Sequence, residues 1–274
     1  MKTTGGGRKA LFPLYLCVIL VVMYIPIALV IIYSFNQSRL SSVWSGFTLS
    51  WYAELFRDRA MFEGLRTSLI LGLLSSGLAA ALGTLGASGM ARVRMVNASG
   101  TASSTAGVHR VMEYIAILPI MVPEIIMGMT FLAFFSLLSV PSGMVALVIA
   151  HTAFCVPYPY LLVRARLAGL DKSYVEAARI MGASDLRAFY DVTLPLVLPA
   201  VISGMLISFA MSFDDVIVSS FVAGVDTNTL PMIIYSQLRF GVTPKTNAMC
   251  SLLFVLTVAL CVTAAFLALR GRRE

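Results

Sequence analysis

From residue 11 to residue 35 the chain carries no charged side chain, and five further apolar stretches follow at 67–90, 111–138, 143–163, 195–213 and 248–269. A helix needs about 20 predominantly apolar residues to cross the hydrocarbon core of a bilayer. In that core each backbone polar group must find its partner within the protein, so a helix is the natural form for every stretch. The expectation is an all-α, polytopic membrane protein with six transmembrane helices. Only 12% of the residues are charged, about half the share of a soluble domain. A chain of 274 residues divided this way has no room for a large extramembrane domain.

The first stretch is too long for a signal-peptide core and lacks a small-residue cleavage site, so it is read as a span. Residues 1–10 then form a short polar tail, and 270–274 form a second one. Six crossings put both ends on one side of the membrane. Fourteen of the 20 Lys and Arg residues fall on the side of the termini and six on the other. The positive-inside rule makes the fourteen-residue side cytoplasmic, so both termini are expected there. The net charge of +7 is thereby explained as membrane orientation, and no nucleic-acid partner is expected.

The connecting segments carry local signals. Trp44, Phe47, Trp51, Tyr52 and Phe56 suit a membrane interface, with Ser50 as cap of a short helix reaching Arg57. The second stretch is rich in Gly, Ala and Ser, which lets helices approach closely in lipid. Residues 91–110 read as a Ser/Thr/Gly-rich loop. The third stretch is one span with Pro119, Pro123 and a single charge, Glu124. After the fifth stretch, 214–247 reads as a mixed loop in which Thr229 and Pro231 open a helix through Phe240.

Catalytic signals are missing. Cys17, Cys155, Cys250 and Cys261 all sit in apolar runs without metal-ligand spacing. His109 and His151 are isolated, and no Ser/His/Asp or Cys/His set is evident. No GxxxxGK[ST] sequence is present, so the chain has no visible means of binding ATP itself. It is not expected to be an enzyme, and neither a cofactor nor a metal site is expected in it.

Three carboxylates stand out instead. Glu124 lies about 13 residues into the third stretch, roughly 20 Å at helical rise, and a carboxylate there costs about 2.5 kcal/mol or more to insert. It is either a structural group bonded to a neighbouring helix or a cation contact on a pathway. Asp214 and Asp215 end the fifth stretch and repel each other unless a cation or donors lie nearby. They are either a solvated helix end or the mouth of an acidic route, and the macrodipole disfavours negative charge at a helix C-terminus. Such a route suits a multivalent organic cation. Tyr158, Tyr160 and Tyr235 are candidates for cation–π contacts, or for interface anchors.

The segment 164–194 is a charged island between apolar stretches. Residues 175–181 favour a helix, Gly182 stops it, and Ser184 or Asp185 caps a second helix through Tyr190. Ala177 and Ala178 leave room for a partner surface, and Glu176 and Arg179 are spaced to pair on one helix face. Glu176-Ala177-Ala178, then Gly182, then Val192 and Leu194-Pro195, follow the pattern EAA-x3-G-x9-V-x-LP. That pattern resembles the cytoplasmic coupling loop of binding-protein-dependent ABC importer permeases, although the family usually has Ile where Val192 stands. MSFDDVIVSSFVAG, LPMIIYSQLRFGVTP, VPEIIMG around Glu124 and HTAFCVPYPYLLVRARLAGLD resemble the spermidine/putrescine permeases of that group. The likeness runs from about residue 11 to 269 and leaves out the longer 97–108 loop.

The resemblance implies a type I ABC importer permease (MetI-like) fold. It implies a second permease subunit, two ATPase subunits holding ATP and Mg, and a periplasmic polyamine-binding protein. Glu176, Ala177, Ala178, Gly182, Leu194 and Pro195 would couple to the ATPase. Glu124, Asp214, Asp215, Tyr158 and Tyr235 would line the route of spermidine or putrescine. Two alternatives remain: an ABC permease for another small cation, and an ion-coupled secondary transporter working through Glu124.

Overall fold

A computed structural model describes residues 6–39, 43–98, 105–171, 173–239 and 241–270. Among them the regular structure is helical, with a single isolated bridge between Asn36 and Phe47. The helices are α1 (Gly6–Tyr33), α2 (Ser50–Leu55), α3 (Arg59–Ala98), α4 (Thr105–Met121), α5 (Glu124–Leu137), α6 (Met144–Cys155) and α7 (Pro157–Ala168). They continue with α8 (Ser173–Ile180), α9 (Asp185–Ala188), a π-helical turn (Phe189–Thr193), α10 (Leu194–Asp214), α11 (Ile217–Val222), α12 (Leu230–Leu238) and α13 (Pro244–Arg270). Two compact units emerge: Met1–Phe62 with Ile234–Glu274, and Glu63–Ile233.

In the first unit α13 packs on α1 and α2. The segment between α1 and α2 is knotted by polar bonds. Trp51 Nε1 donates to the Asn36 carbonyl at 2.7 Å, Asn36 Nδ2 donates to the Val43 carbonyl at 2.7 Å, and the Ser34 and Tyr52 hydroxyls meet at 2.7 Å. Phe35 stacks on Phe47 with ring centres 5.2 Å apart. Ser50 opens α2 but is not its cap: the Thr48 hydroxyl accepts the Ser50 N–H at 3.1 Å, and the helix ends at Leu55 rather than Arg57. Lys245 binds Asp58 and lies 3.5 Å from Glu54. Burial opposes both charges, yet the Lys245 hydrogen bond, the Met61 N–H and the Lys245 charge hold the Asp58 carboxyl below its usual range. The same carboxylates raise Lys245 above the usual ammonium range against its own desolvation.

The second unit is built around α7 and α10. A Cβ on Gly204 of α10 would collide with the backbone of Pro159, and one on Gly83 of α3 would lie 2.8 Å from the Tyr160 nitrogen. These glycines let α10 and α3 close on α7, as small residues do where lipid supplies no hydrophobic drive. Leu71, Phe135, Leu147, Phe154, Val218 and Val222 form one buried cluster. Tyr160, Ala87, Val163 and Val197 form another.

The third stretch is not one continuous helix. α4 and α5 meet at a bend of 107° around Val122 and Pro123. Pro123 has no N–H and sits at the cap of α5 with ψ 134°, an extended conformation outside the helix. The expected loop at 91–110 is largely helical, since α3 runs on to Ala98 and α4 starts at Thr105. α3 also begins at Arg59, ahead of the expected 67. α1 begins at Gly6, inside the expected tail. Residues 1–5, 99–104 and 271–274 lie outside the described residues, and with them the remainder of both expected tails and of the 97–108 loop.

Among the described residues, four helical segments are long and apolar enough to cross a membrane: Tyr15–Tyr33, Arg59–Ala91, Met144–Ala168 and Asp185–Asp214. The bent pair α4–α5 makes a fifth if taken as one span, and Pro244–Ala259 is a shorter apolar helix. α10 ends within one residue of each boundary expected for the fifth stretch.

Candidate functional site

The charged island folds as helix, turn, helix. Asp171 Oδ1 accepts the Ser173 N–H at 2.9 Å and so caps α8; that backbone bond holds the Asp171 carboxyl below its usual range. Gly182 ends α8 with φ +88°. Its N–H donates to the Arg179 carbonyl at 2.9 Å, and the Ala183 N–H donates to the Ala178 carbonyl at 3.0 Å. This is a Schellman cap, which wants Gly at the left-handed position. The Ser184 hydroxyl then caps α9, accepting the Arg187 N–H at 3.3 Å. The second helix does not stop near Tyr190. It widens into the π-turn and feeds α10, because Pro195 in the first turn of α10 has no N–H to continue the α-helical ladder. π-turns often occur at functional sites.

Ala178 is buried, while Glu176, Ala177 and Gly182 are exposed. Arg179 does not pair with Glu176; its Nη2 lies 2.8 Å from Asp185 Oδ1 across the turn. Leu194 is half-buried and Pro195 exposed at the start of α10. Ile180, Met181 and Leu186 stand 87%, 82% and 68% exposed. An apolar cluster on a polar segment is the usual mark of a partner contact.

The carboxylates take different places. Glu124 is not in mid-helix: the bend makes it the first residue of α5, where the helix dipole favours a negative charge. Asp214 is exposed at the end of α10, whereas Asp215 is buried. The chain turns extended at Asp215 (ψ 130°), and its carboxylate caps α11. It accepts the Val218 N–H at 3.1 Å and the Ser219 N–H and hydroxyl at 2.7 Å each. The macrodipole objection to a capping role thus falls away, because the charge sits at the N-terminus of α11, a helix within the expected 214–247 loop.

Glu124, Tyr158 and Asp215 converge on one small cavity of about 70 Å³, walled by Pro119, Val122, Met127, Phe154, Met211 and Val218. Asp214 does not line it. Tyr160 lies in the second buried cluster with its hydroxyl buried and unpaired. Tyr235 belongs to the first unit, with the Arg239 guanidinium 5.4 Å above its ring. The third stretch holds a second charge besides Glu124: Glu113 of α4 lies 3.0 Å from Arg164 of α7. His151, set aside as isolated, is fully buried beside Asp215. A polar side chain in an uncharged run was the signal for it. Among the described residues no group of three His, Cys, Asp or Glu side chains is arranged to hold a metal.

Residues 99–271 match the family described as "Binding-protein-dependent transport system inner membrane component". The chain is 37% identical over 238 residues to the putrescine transport system permease protein PotI of Escherichia coli (strain K12), covering 84% of this chain and 81% of that protein. It is 36% identical over 248 residues to the spermidine/putrescine transport system permease protein PotC of Haemophilus influenzae, covering 90% and 92%. Among solved structures, a chain of a bacterial ABC transporter that imports alginate superposes with a TM-score of 0.68 at 14% identity, covering 97% of this chain and 99% of that one. A chain of the MetNI methionine ABC transporter does so with 0.58 at 20%, covering 78% and 98%. The fold is that of ABC importer permeases, as the resemblance implied. By its family match and its relatives, the chain belongs to the inner membrane components of binding-protein-dependent transport systems.

Proposed function

We propose that the chain is one of two permease subunits of an ATP-driven importer of polyamines, with spermidine or putrescine as substrate. The observation that carries this is the meeting of Glu124, Tyr158 and Asp215 on one cavity. A cavity of that size exceeds the ~10–15 Å³ one water needs, leaving room for one alkylammonium end of a linear amine. Glu124 supplies the charge, Tyr158 an aromatic wall for cation–π contact, and the carboxylate of Asp215 a fixed counter-charge. The names of the relatives above support the same substrate class.

The six crossings are α1, α3, the bent pair α4–α5, α6 with α7, α10 and α13. The basic-residue asymmetry puts both termini, and with them the segment from α8 to the π-turn, in the cytoplasm. A loaded periplasmic binding protein docks on the opposite side. Two ATPase subunits bind ATP and Mg, and their closure pushes on the exposed side chains around Gly182. The spans rock, and the amine passes the cavity inward. ATP chemistry lies in the partners, and this chain supplies path and coupling.

The test is reconstitution of the four-subunit complex in proteoliposomes with its binding protein. ATP-dependent uptake of labelled putrescine or spermidine is expected, above other small cations. Uptake that prefers a different cation would move the reading to another ABC permease. Uptake that runs without the ATPases would replace it with an ion-coupled carrier.

A further inference from the structure

Behind the cavity lies a polar chain that this transport scheme does not use. His151 of α6 has its Nε2 3.1 Å from the Ser219 hydroxyl and 3.5 Å from Asp215 Oδ2, and its Nδ1 2.8 Å from the Ser212 hydroxyl of α10. Ser212 Oγ is 2.9 Å from Ser75 Oγ of α3, which is 2.7 Å from the Leu71 carbonyl. His151, Ser75 and Ser219 are wholly buried, and Ser212 nearly so.

Counting protons along this chain gives two complete arrangements. The Ser219 hydroxyl gives its one proton to Asp215, so Nε2 must carry a proton, aimed at Ser219 and Asp215. In the first arrangement Ser75 donates to Ser212, Ser212 donates to Nδ1, and the ring is neutral. In the second Ser75 donates to the Leu71 carbonyl, Ser212 donates to Ser75, Nδ1 donates to Ser212, and the ring is cationic. Every donor has an acceptor in both. The two differ by one proton and two hydroxyl rotations. A buried ring with only one such partner set would leave a polar group unpaired in one charge state, which is unfavourable in a protein interior.

We propose that His151 is a positioning residue that binds a proton in competition with the substrate's ammonium. Asp215 reaches both the ring and the cavity. It faces an imidazolium from behind or an ammonium from in front, and two cations on one buried carboxylate repel. Seating the ammonium releases one proton from His151 to water, and its departure takes one up, so the charge of the site stays constant. The other titratable groups near the ring are Cys155, one turn along α6, and Tyr158 and Glu124 across the cavity. Among the described residues, α3 and α10 present the Ser75 and Ser212 hydroxyls to the chain of bonds. The inference rests on the reading of the cavity as a cation site.

The chain has two histidines, so His109→Gln leaves one imidazole for nitrogen-15 histidine NMR of the full-length chain in nanodiscs. Between about pH 8 and pH 3, a range wide enough for a buried imidazole, the Nδ1 signal should pass from unprotonated to protonated. Putrescine should drive it back. One pH unit below the titration midpoint, putrescine should bind ~tenfold more weakly, the fraction of competent sites having fallen by that factor. His151→Gln cannot take up the proton and should lose this dependence. Ser212→Ala, which keeps the ring and removes the acceptor its second proton needs, should do the same. A signal that never changes with pH overturns the proton site, whatever the cavity binds. A ring that titrates but ignores putrescine, in a complex that imports putrescine, overturns the competition and leaves the transport reading standing. A complex that does not import putrescine overturns both.

Discussion

The segment between α8 and the π-turn and the polar cluster around Asp215 both place side chains against their solvent preference, in opposite senses. In the first, Ile180, Met181 and Leu186 stand in the open. In the second, a carboxylate, an imidazole and three serines are buried among helices. Exposed apolar groups are unfavourable until a partner covers them. Buried polar groups are unfavourable until each is paired, and here each has a partner already in place. The first region is therefore incomplete in this chain alone, while the second is complete. Damage to the first should show in coupling to a partner, and damage to the second in what the chain itself binds.

The strongest break in that comparison comes at Gly182. Its φ of +88° makes Gly182→Asp strained by about 1–2 kcal/mol at the turn that aims Ile180 and Met181. ATP-driven uptake should fall at least about tenfold while the chain still inserts. Uptake and complex assembly at wild-type levels, measured in proteoliposomes and by co-purification, would show that the turn is not a docking element. Glu124→Gln comes next. Losing one charge-assisted contact, about 1.5–3 kcal/mol, should raise the KM for putrescine about tenfold or more and leave protein level and ATPase co-purification unchanged. Equal loss of uptake and protein level would make Glu124 structural.

A pair outside both regions serves as control. Asp58 is held below the ordinary carboxylate value of 3.8, so its contribution to stability is present above that pH and lost as pH falls through the folded value. Lys245 is held above 10.5, so its contribution is present below that pH and lost as pH rises through the folded value. Lys245→Met should lower the melting temperature by a constant amount between 3.8 and 10.5, and the gap should close below. The smallest effect belongs to Arg179→Ala. Its pair with Asp185 is about half exposed, and such pairs contribute about 0–1 kcal/mol. Uptake should change less than about fivefold; a larger drop would mean that Arg179 itself touches the partner.

The turn at Gly182 was legible because it is local. A helix former run, a Gly and a Ser cap each act within four residues, and the Schellman bonds at Gly182 and the Ser184 cap formed where expected. The Arg179–Asp185 pair was missed because it depends on the turn folding back. Glu124 was placed in mid-helix because two prolines one turn apart permit either a kink or a break, and only the packing of α4 on α7 and of α5 on α11 selects the break. Asp215 was read at a helix end because nothing in 214–247 announces α11, a helix of six residues that its own cap and its contacts with α5 and α6 hold in place.

By itself the sequence determined that this chain lies in a membrane as helices, which way the basic residues bias it, and where the charged segment turns at Gly182. Those properties follow from transfer energies and from backbone preferences that act over a few residues. Only the tertiary structure decided that Glu124, Tyr158 and Asp215 share a cavity and that His151, Ser212 and Ser75 line up behind it. Such groups come from helices far apart in the chain, and their meeting depends on close approaches, at Gly83 and Gly204 among others, that no local pattern encodes.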